Sequence, residues 1–223
     1  MKEEKFQHYT ELALKTVYSE PEGGFHSQLI PEMVKDFFLP ANVPVTAYVL
    51  DIGCGQGLFM DLLKDKGYTN LVGVTLSEED LVACGEKWHS CVKSDMSDLP
   101  VPDRIVDYIW CRHALEHSPY PLFTLYEFNR VMKLGGKMYV EVPAPGCARR
   151  HEYNPNHYSV LTADMWVALM VRAGFVVTDA RTISFELQTP QGAVPESNLI
   201  FLLEKNESLV QERAFASDEA FCG

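Results

Sequence analysis

The chain has 223 residues, a length that suits one domain with an extension and argues against two independent catalytic domains. Its 19 basic and 31 acidic residues give a formal net charge of −12, and 47% of the residues are hydrophobic. This composition excludes a disordered or collagen-like chain, and so acidic a surface argues against nucleic acid as a partner. No window holds the roughly 18 apolar residues that a membrane span needs, so the sequence predicts a soluble, cytoplasmic protein with no membrane partner.

A helical extension is predicted at the start of the chain. Apolar residues between Phe6 and Val17 recur at near-helical spacing. The Pro-Glu-Gly-Gly run at residues 21–24 then breaks the chain before a second short helix at residues 31–38. We therefore expect a helical extension or lid over residues 1–44, a core domain over residues 45–205 and a tail over residues 206–223.

Strands and helices alternate through the core domain. The predicted strands are residues 47–51, 71–75, 91–93, 105–110, 137–142, 175–183 and 199–204. Helices are predicted at residues 58–66, 78–88, 121–132 and 163–173, bounded by such signals as the Ser77 N-cap and the terminating Gly67 and Gly174. The alternation predicts a doubly wound, mostly parallel seven-stranded sheet with helices on both faces. No helix separates the last two strands, so they should form an antiparallel hairpin at one edge, joined by a loop at residues 187–197.

A glycine-rich segment, Asp51-Ile52-Gly53-Cys54-Gly55, ends the first predicted strand. Glycines at such a point let the backbone approach a ligand closely, and the following helix directs its N-terminus at that ligand. A dinucleotide fingerprint needs a further glycine three residues after the second one, where this chain has leucine. The pattern therefore favours a ligand other than a pyrophosphate.

The same segment resembles the first motif of the class I S-adenosylmethionine-dependent methyltransferases, in which an acid precedes G-x-G-x-G at this strand end. The resemblance covers residues 45–203 and implies that S-adenosylmethionine is the cofactor. It also implies that Gly53, Cys54 and Gly55 pass under the methionine part of the cofactor, with Asp51 nearby.

Two further segments of the resemblance concern the ribose and the adenine. The family usually places an acid after the second strand, where this chain has Thr75 and Leu76. That departure is similar to the cyclopropane-fatty-acid-synthase branch, in which a polar side chain follows at the position of Asp80, so the ribose is expected at Thr75, Leu76, Asp80 or the backbone. After the third strand, the resemblance implies that Asp95 accepts from the adenine amine and that Met96 offers a backbone amide and an apolar contact.

The segment after the fourth predicted strand contains His113-x-x-Glu116-His117, which matches the H-x-x-E-H pattern of a class of zinc peptidases. Here the pattern follows a buried strand and lacks a recognisable third ligand, so we expect no metal. Class I methyltransferases often have a similar x-x-H-x-L-E-H run at this place. The resemblance implies that Arg112 and His113 lie near the sulfonium end of the cofactor, while Glu116 and His117 either line the pocket or are structural.

Residues 143–160 form a long connection without a regular pattern, after the fifth predicted strand. Loops at this end of a parallel sheet lie over the ligand crevice, so we expect this one to select the acceptor. If the acceptor must lose a proton, a histidine is the natural base at neutral pH. The candidates are His113 first, then His157 and His151.

The sequence therefore predicts an enzyme that transfers a methyl group from S-adenosylmethionine to an oxygen or nitrogen of a small metabolite or sugar-containing acceptor. Carbon methylation of the cyclopropane-synthase kind is an alternative, motivated by the Thr75-Leu76-Ser77 run. A second alternative is a non-catalytic module that keeps the fold and the cofactor and acts through partners. Nothing in the sequence indicates the acceptor's identity or the oligomeric state.

Overall fold

A computed structural model describes residues 3–15, 25–189 and 192–207 of the chain. Its α-helices, in chain order, are α1 (Glu3–Ala13), α2 (Phe25–Met33), α3 (Leu58–Lys64), α4 (Glu78–Glu86), α5 (Pro121–Val131) and α6 (Ala163–Arg172). Its strands are β1 (Val49–Ile52), β2 (Leu71–Thr75), β3 (Ser90–Lys93), β4 (Val106–Arg112), β5 (Met132–Pro143), β6 (Phe175–Thr189) and β7 (Gly192–Lys205). Most of the predicted tail, from residue 208 onward, lies outside the described residues.

The seven strands form one sheet in the order β3-β2-β1-β4-β5-β7-β6. Strands β1 to β5 pair in parallel with one another, whereas β7 is antiparallel to both β5 and β6. All four residues of β1 are buried, as expected for a central strand covered by helices on both faces. The predicted doubly wound α/β fold with a terminal antiparallel hairpin is confirmed.

Each face of the sheet carries its own apolar core. On one face, Phe128 of α5 and Trp166 of α6 are fully buried against the strands. On the other face, Phe59 of α3 stacks on Trp110 of β4 with ring centroids 4.5 Å apart, and Trp110 stacks on Tyr139 of β5 at 4.1 Å. These stacked rings bury large apolar areas, which holds β4 and β5 rigidly beneath the carboxyl edge of the sheet. Within the described residues, no helix has the length and apolarity to cross a membrane.

The observed elements differ from the predicted ones at two places. The predicted loop at residues 187–197 is instead part of a long ribbon, because β6 and β7 pair as far as Thr189 and Gly192. This ribbon extends past the end of β5, which pairs with β7 only as far as Asn198. The second predicted helix begins earlier, at Phe25, and continues as a π-helical turn, Val34–Phe38. The first helix, α1, ends at Ala13, and the predicted end near Val17 lies outside the described residues.

Candidate functional site

A cleft opens at the carboxyl ends of the parallel strands, where open α/β sheets bind their ligands. It encloses about 850 Å³ of empty volume, part of it open to solvent. The predicted cofactor residues that line it are Gly53, Gly55, Thr75, Leu76, Asp80 and Met96. Apolar side chains of Ile52 and Val74 complete this part of the wall, so the cleft combines an apolar surface with a few polar groups, as ligand sites do.

The glycine loop between β1 and α3 is shaped by two positive φ angles. Gly53 has a φ of +70°, and a Cβ there would lie 2.7 Å from the Cβ of Ala114, so only glycine lets the loop pack on the segment after β4. Gly55 has a φ of +50°, and a Cβ there would meet no atom within 4 Å. Because Gly55 lies on the cleft wall, that Cβ would take up space in the cleft. The loop therefore fits a ligand that approaches the backbone closely.

A carboxylate is held on the cleft wall at the start of α4. The Ser77 side chain caps this helix by accepting a hydrogen bond from the Asp80 backbone N–H at 3.2 Å. The Thr75 hydroxyl accepts from the Ser77 N–H at 3.0 Å, which fixes the turn between β2 and the helix. Asp80 is buried, and its two acceptor oxygens suit a pair of neighbouring hydroxyls. This geometry supports Asp80 as the acid that replaces the family's usual ribose-binding acid, whose position Thr75 occupies in this chain.

Four of the predicted cofactor residues are absent from the described cleft wall, and two of them lie at the end of β1. Asp51 is buried, and its Oδ2 atom forms no hydrogen bond with any described residue. Burial raises the pKa of Asp51 well above its usual value. The Cys54 thiol lies in a cluster with the Cys84 and Cys91 thiols, whose sulfur atoms are all within 4.8 Å of one another. Any contact of Cys54 with the cofactor is thus left to its backbone.

Asp95 accepts a hydrogen bond from the Ser97 backbone N–H at 2.9 Å, which shapes the turn after β3. Arg112, the fourth predicted cofactor residue that does not line the described cleft, pairs with Glu141 of β5. Its Nε atom donates to Glu141 Oε2 at 2.6 Å. Both side chains of this ion pair are buried. Arg112 therefore holds Glu141, and it is not among the described residues that line the cleft.

Glu141 is a residue that our sequence analysis missed. The Tyr139 hydroxyl donates to its Oε2 atom at 2.7 Å, and the Asn198 side-chain amide donates to its Oε1 atom at 2.6 Å. Burial alone raises the pKa of Glu141, but hydrogen bonding with His113 and the charge of Arg112 outweigh burial and hold that pKa below its usual value. The carboxylate is therefore ionised and lies buried beside His113, which lines the cleft. An acid within the apolar strand run MYVEV was the signal available in the sequence.

His113 lies on the cleft wall, as predicted, with a left-handed φ of 49°. Its Nδ1 atom is 3.4 Å from Glu116 Oε1, and its Nε2 atom is 3.3 Å from Glu141 Oε1. Burial lowers the pKa of His113, but the hydrogen bonds to Glu116 and Glu141 more than compensate and raise it to about 9. An imidazolium has no free lone pair at neutral pH, so this environment disfavours His113 as the general base and favours it as a fixed positive charge.

The long connection after β5 contributes Asn156 and Tyr158 to the cleft wall. The Tyr158 hydroxyl donates a 2.7 Å hydrogen bond to the Ala13 carbonyl at the end of α1. Ala13 and Leu14 themselves line the cleft. The helical extension and the connection thus meet across the cleft, an arrangement that supports their predicted roles as lid and acceptor loop.

The other two predicted bases lie behind His117, which is on the cleft wall. The His157 ring packs edge-on against His117 with centroids 4.8 Å apart, and it stacks on His151 at 5.3 Å. The His151 Nε2 atom lies 2.8 Å from Glu196 Oε2, a second acid that the sequence analysis missed. Neither His151 nor His157 is among the described residues that line the cleft.

The fold and this cleft define a protein with the class I methyltransferase architecture. A family model described as "Methyltransferase domain" matches residues 50–140, which include the glycine loop, Asp80 and His113. A Mycobacterium tuberculosis protein named "Probable S-adenosylmethionine-dependent methyltransferase" is 28% identical over 135 residues, covering 57% of this chain and 48% of that protein. A demethylmenaquinone methyltransferase of Bacillus licheniformis is 33% identical over 104 residues, covering 44% of this chain and 45% of that enzyme.

Among solved structures, a SAM-dependent methyltransferase from Archaeoglobus fulgidus superposes with a TM-score of 0.66 at 18% identity, covering 90% of this chain and 100% of that one. These matches support a class I S-adenosylmethionine-dependent methyltransferase, with S-adenosylmethionine as the cofactor that they imply. The chain spans about half the length of the curated relatives that it matches.

Proposed function

We propose that this protein transfers a methyl group from S-adenosylmethionine to an oxygen or nitrogen of a small acceptor molecule. The proposal rests mainly on which residues line one wall of the cleft. That wall joins the glycine loop and Asp80, which suit the cofactor, to His113 and His117 at the ends of β4 and the following turn. A fold alone does not establish a reaction, whereas a cleft with a cofactor end and a separate polar end supports one.

S-adenosylmethionine supplies a methyl group that its sulfonium already makes electrophilic, so the protein has mainly to bind, align and exclude water. Gly55 lets the backbone approach the ligand, and Asp80 offers acceptors to the ribose hydroxyls. Met96 adds an apolar contact. Tyr158 and the end of α1 cover the cleft and reduce the access of water. The acidic composition still argues against a nucleic-acid partner.

The role of Asp80 is tested by Asp80→Asn, which removes the charge while keeping the size. A hydrogen bond to a charged group contributes about 1.5–3 kcal/mol, so the dissociation constant for S-adenosylhomocysteine should rise roughly 10- to 150-fold in calorimetry. Glu79→Gln is the matched control, because Glu79 lies in the same helical turn but is exposed. Equal affinities of the two variants would contradict the proposed ribose contact.

Turnover is tested by the release of S-adenosylhomocysteine when the full chain is incubated with a panel of small hydroxyl and amine acceptors. The panel should include quinone precursors, because one relative is named a demethylmenaquinone methyltransferase. We expect release above the acceptor-free rate for at least one member, with the new methyl found on oxygen or nitrogen by NMR. A methyl on carbon would favour the cyclopropane-synthase alternative. Cofactor binding without release from the panel or from a metabolite extract would favour the binding module.

A further inference from the structure

Three side chains gather at the polar end of the cleft: Glu116, His117 and His157. Each offers one ligand atom, a carboxylate oxygen or an imidazole nitrogen, and these atoms all lie within 4.8 Å of one another. Glu116 Oε2 and His157 Nδ1 are buried and form no hydrogen bond with any residue in the described ranges. A buried polar atom without a partner is unfavourable, so two such atoms within one cluster point to a ligand that binds both.

The histidines are oriented as metal ligands usually are. The His117 Nδ1 atom lies 2.8 Å from the Asn156 carbonyl oxygen. A carbonyl only accepts hydrogen bonds, so Nδ1 carries a proton, which places the lone pair of the neutral tautomer on Nε2. Metal-binding histidines commonly donate their other N–H to a carbonyl in this way, which fixes the tautomer and the ring orientation.

His157 is held against Glu116 by the backbone of its own loop. The Glu116 carbonyl accepts hydrogen bonds from the Tyr158 N–H at 2.9 Å and from the Ser159 N–H at 3.1 Å. These bonds anchor the segment that follows His157 to the turn that carries Glu116 and His117.

We propose that Glu116, His117 and His157 bind one divalent transition-metal ion at the acceptor end of the cleft. Two imidazoles with one carboxylate form a donor set that suits Zn²⁺, Co²⁺ and related ions, and three protein ligands leave room for an outside oxygen. Because His117 lies on the cleft wall, that oxygen reaches the ion from the cleft. This inference rests on the proposed methyl transfer and narrows the acceptor to a molecule whose hydroxyl can ligate the ion.

The ion would activate the acceptor hydroxyl, a role that the histidines of the site are not placed to fill. A hydroxyl that ligates a divalent cation has a lowered pKa and loses its proton to solvent. Its oxygen then forms the bond to the methyl carbon while the carbon–sulfur bond breaks, and the electron pair of that bond goes to sulfur, which becomes a neutral thioether. The acceptor is thereby activated without a protein base, whereas His113 is held between two carboxylates and His151 is paired with Glu196.

The sequence led us to expect no metal because residues 113–117 offered no third ligand. Folding brings His157 from the connection after β5 to the turn after β4, which supplies one. It also changes the ligand set, since His113 turns toward Glu141 while Glu116 joins His117. The proposed site therefore uses Glu116 and His117 of this segment together with His157, and not the His113–His117 pair of the zinc-peptidase pattern.

The test is a titration of the full chain with Co²⁺, without cofactor or acceptor, followed by calorimetry and visible absorption. We expect one ion per chain and at least tenfold weaker binding in His157→Ala and in Glu116→Gln. The Glu116→Gln change conserves shape, and circular dichroism should show that both variants stay folded. His8→Ala, an exposed histidine of α1, is the matched control and should bind as the wild type does.

The thiol cluster of Cys54, Cys84 and Cys91 is a competing place for the ion. Thiolate ligands would add near-ultraviolet charge-transfer absorption, and Cys91→Ser would then abolish binding. The proposal is overturned if the ion binds there, if wild-type protein binds no Co²⁺, or if both His157→Ala and Glu116→Gln bind as tightly as wild type.

Methyl transfer is measured separately, with and without a chelator, so that the two proposals fail in different ways. Cobalt binding at Glu116, His117 and His157 without any transfer would leave the metal site standing and refute the proposed function. Transfer that continues in chelator, by a chain that binds no Co²⁺, would overturn the metal site and leave the methyl transfer standing.

Discussion

Gly55 offers the sharpest test of where the cofactor lies, because replacing it separates two effects that usually occur together. The Gly55→Ala change places a Cβ at a left-handed φ of +50°, which costs roughly 1–2 kcal/mol of stability in any residue other than glycine. The same Cβ meets no protein atom within 4 Å and so extends into the cleft. Gly135 has a φ of +75° and equally open surroundings, but it is not among the described cleft residues. Gly135→Ala therefore introduces a similar backbone strain without placing a methyl group in the cleft.

The expected loss of affinity follows from the space that one methyl group fills. Forcing an extra methyl into a well-packed contact costs about 1–3 kcal/mol, which weakens binding roughly 5- to 150-fold. Urea unfolding should show similar losses of stability in both variants. Calorimetry with S-adenosylhomocysteine should show a loss of affinity in Gly55→Ala only. Binding by Gly55→Ala within about twofold of wild type, or an equal loss in Gly135→Ala, would refute the placement of the cofactor over this loop.

Two further predictions concern the scaffold around the cleft. Glu141→Ala removes the buried carboxylate that pairs with Arg112 and should lower the free energy of urea unfolding by about 3–5 kcal/mol. Glu32→Ala, at an exposed ion pair, should change it by under about 0.5 kcal/mol, and a loss below about 1 kcal/mol at Glu141 would contradict the network described above. Tyr158→Phe removes the hydrogen bond to the Ala13 carbonyl, worth about 0.5–1.5 kcal/mol, and should speed amide exchange at the end of α1 roughly 2- to 10-fold. Tyr153→Phe, at an exposed ring, is its control, and unchanged exchange in Tyr158→Phe would show that this bond does not hold the helix.

Local signals in the sequence were sufficient for the sheet and for the cofactor end of the cleft. The mostly apolar strand β1 is followed directly by glycines, so the strand and its ligand loop could be predicted together from neighbouring residues. The Ser77 cap likewise announced the start of α4 and placed Asp80 in its first turn. Each of these inferences needed only neighbours within a few positions along the chain.

The polar end of the cleft depends on partners that are distant in sequence, which explains why it was predicted less well. Arg112 and Glu141 meet because β4 and β5 are adjacent and in register, with these two residues opposite each other. Nothing near Arg112 in the sequence indicates that its charge is satisfied inside the sheet. The outer half of the β6–β7 ribbon was missed for a related reason, since glycine and proline obscure a strand signal that cross-strand pairing overrides.

Burial changes the chemistry expected of His113, which the sequence analysis proposed as a general base. A solvent-exposed histidine titrates near neutrality, so the choice was reasonable for an isolated side chain. In the fold, however, His113 lies between the buried carboxylates of Glu116 and Glu141, and Arg112 pairs with Glu141. Loss of the imidazolium proton would leave Glu116 without that counter-charge in a poorly hydrated site. We therefore expect this proton to stabilise the buried network, so that an acceptor is activated by its own acidity or by another cation in the cleft.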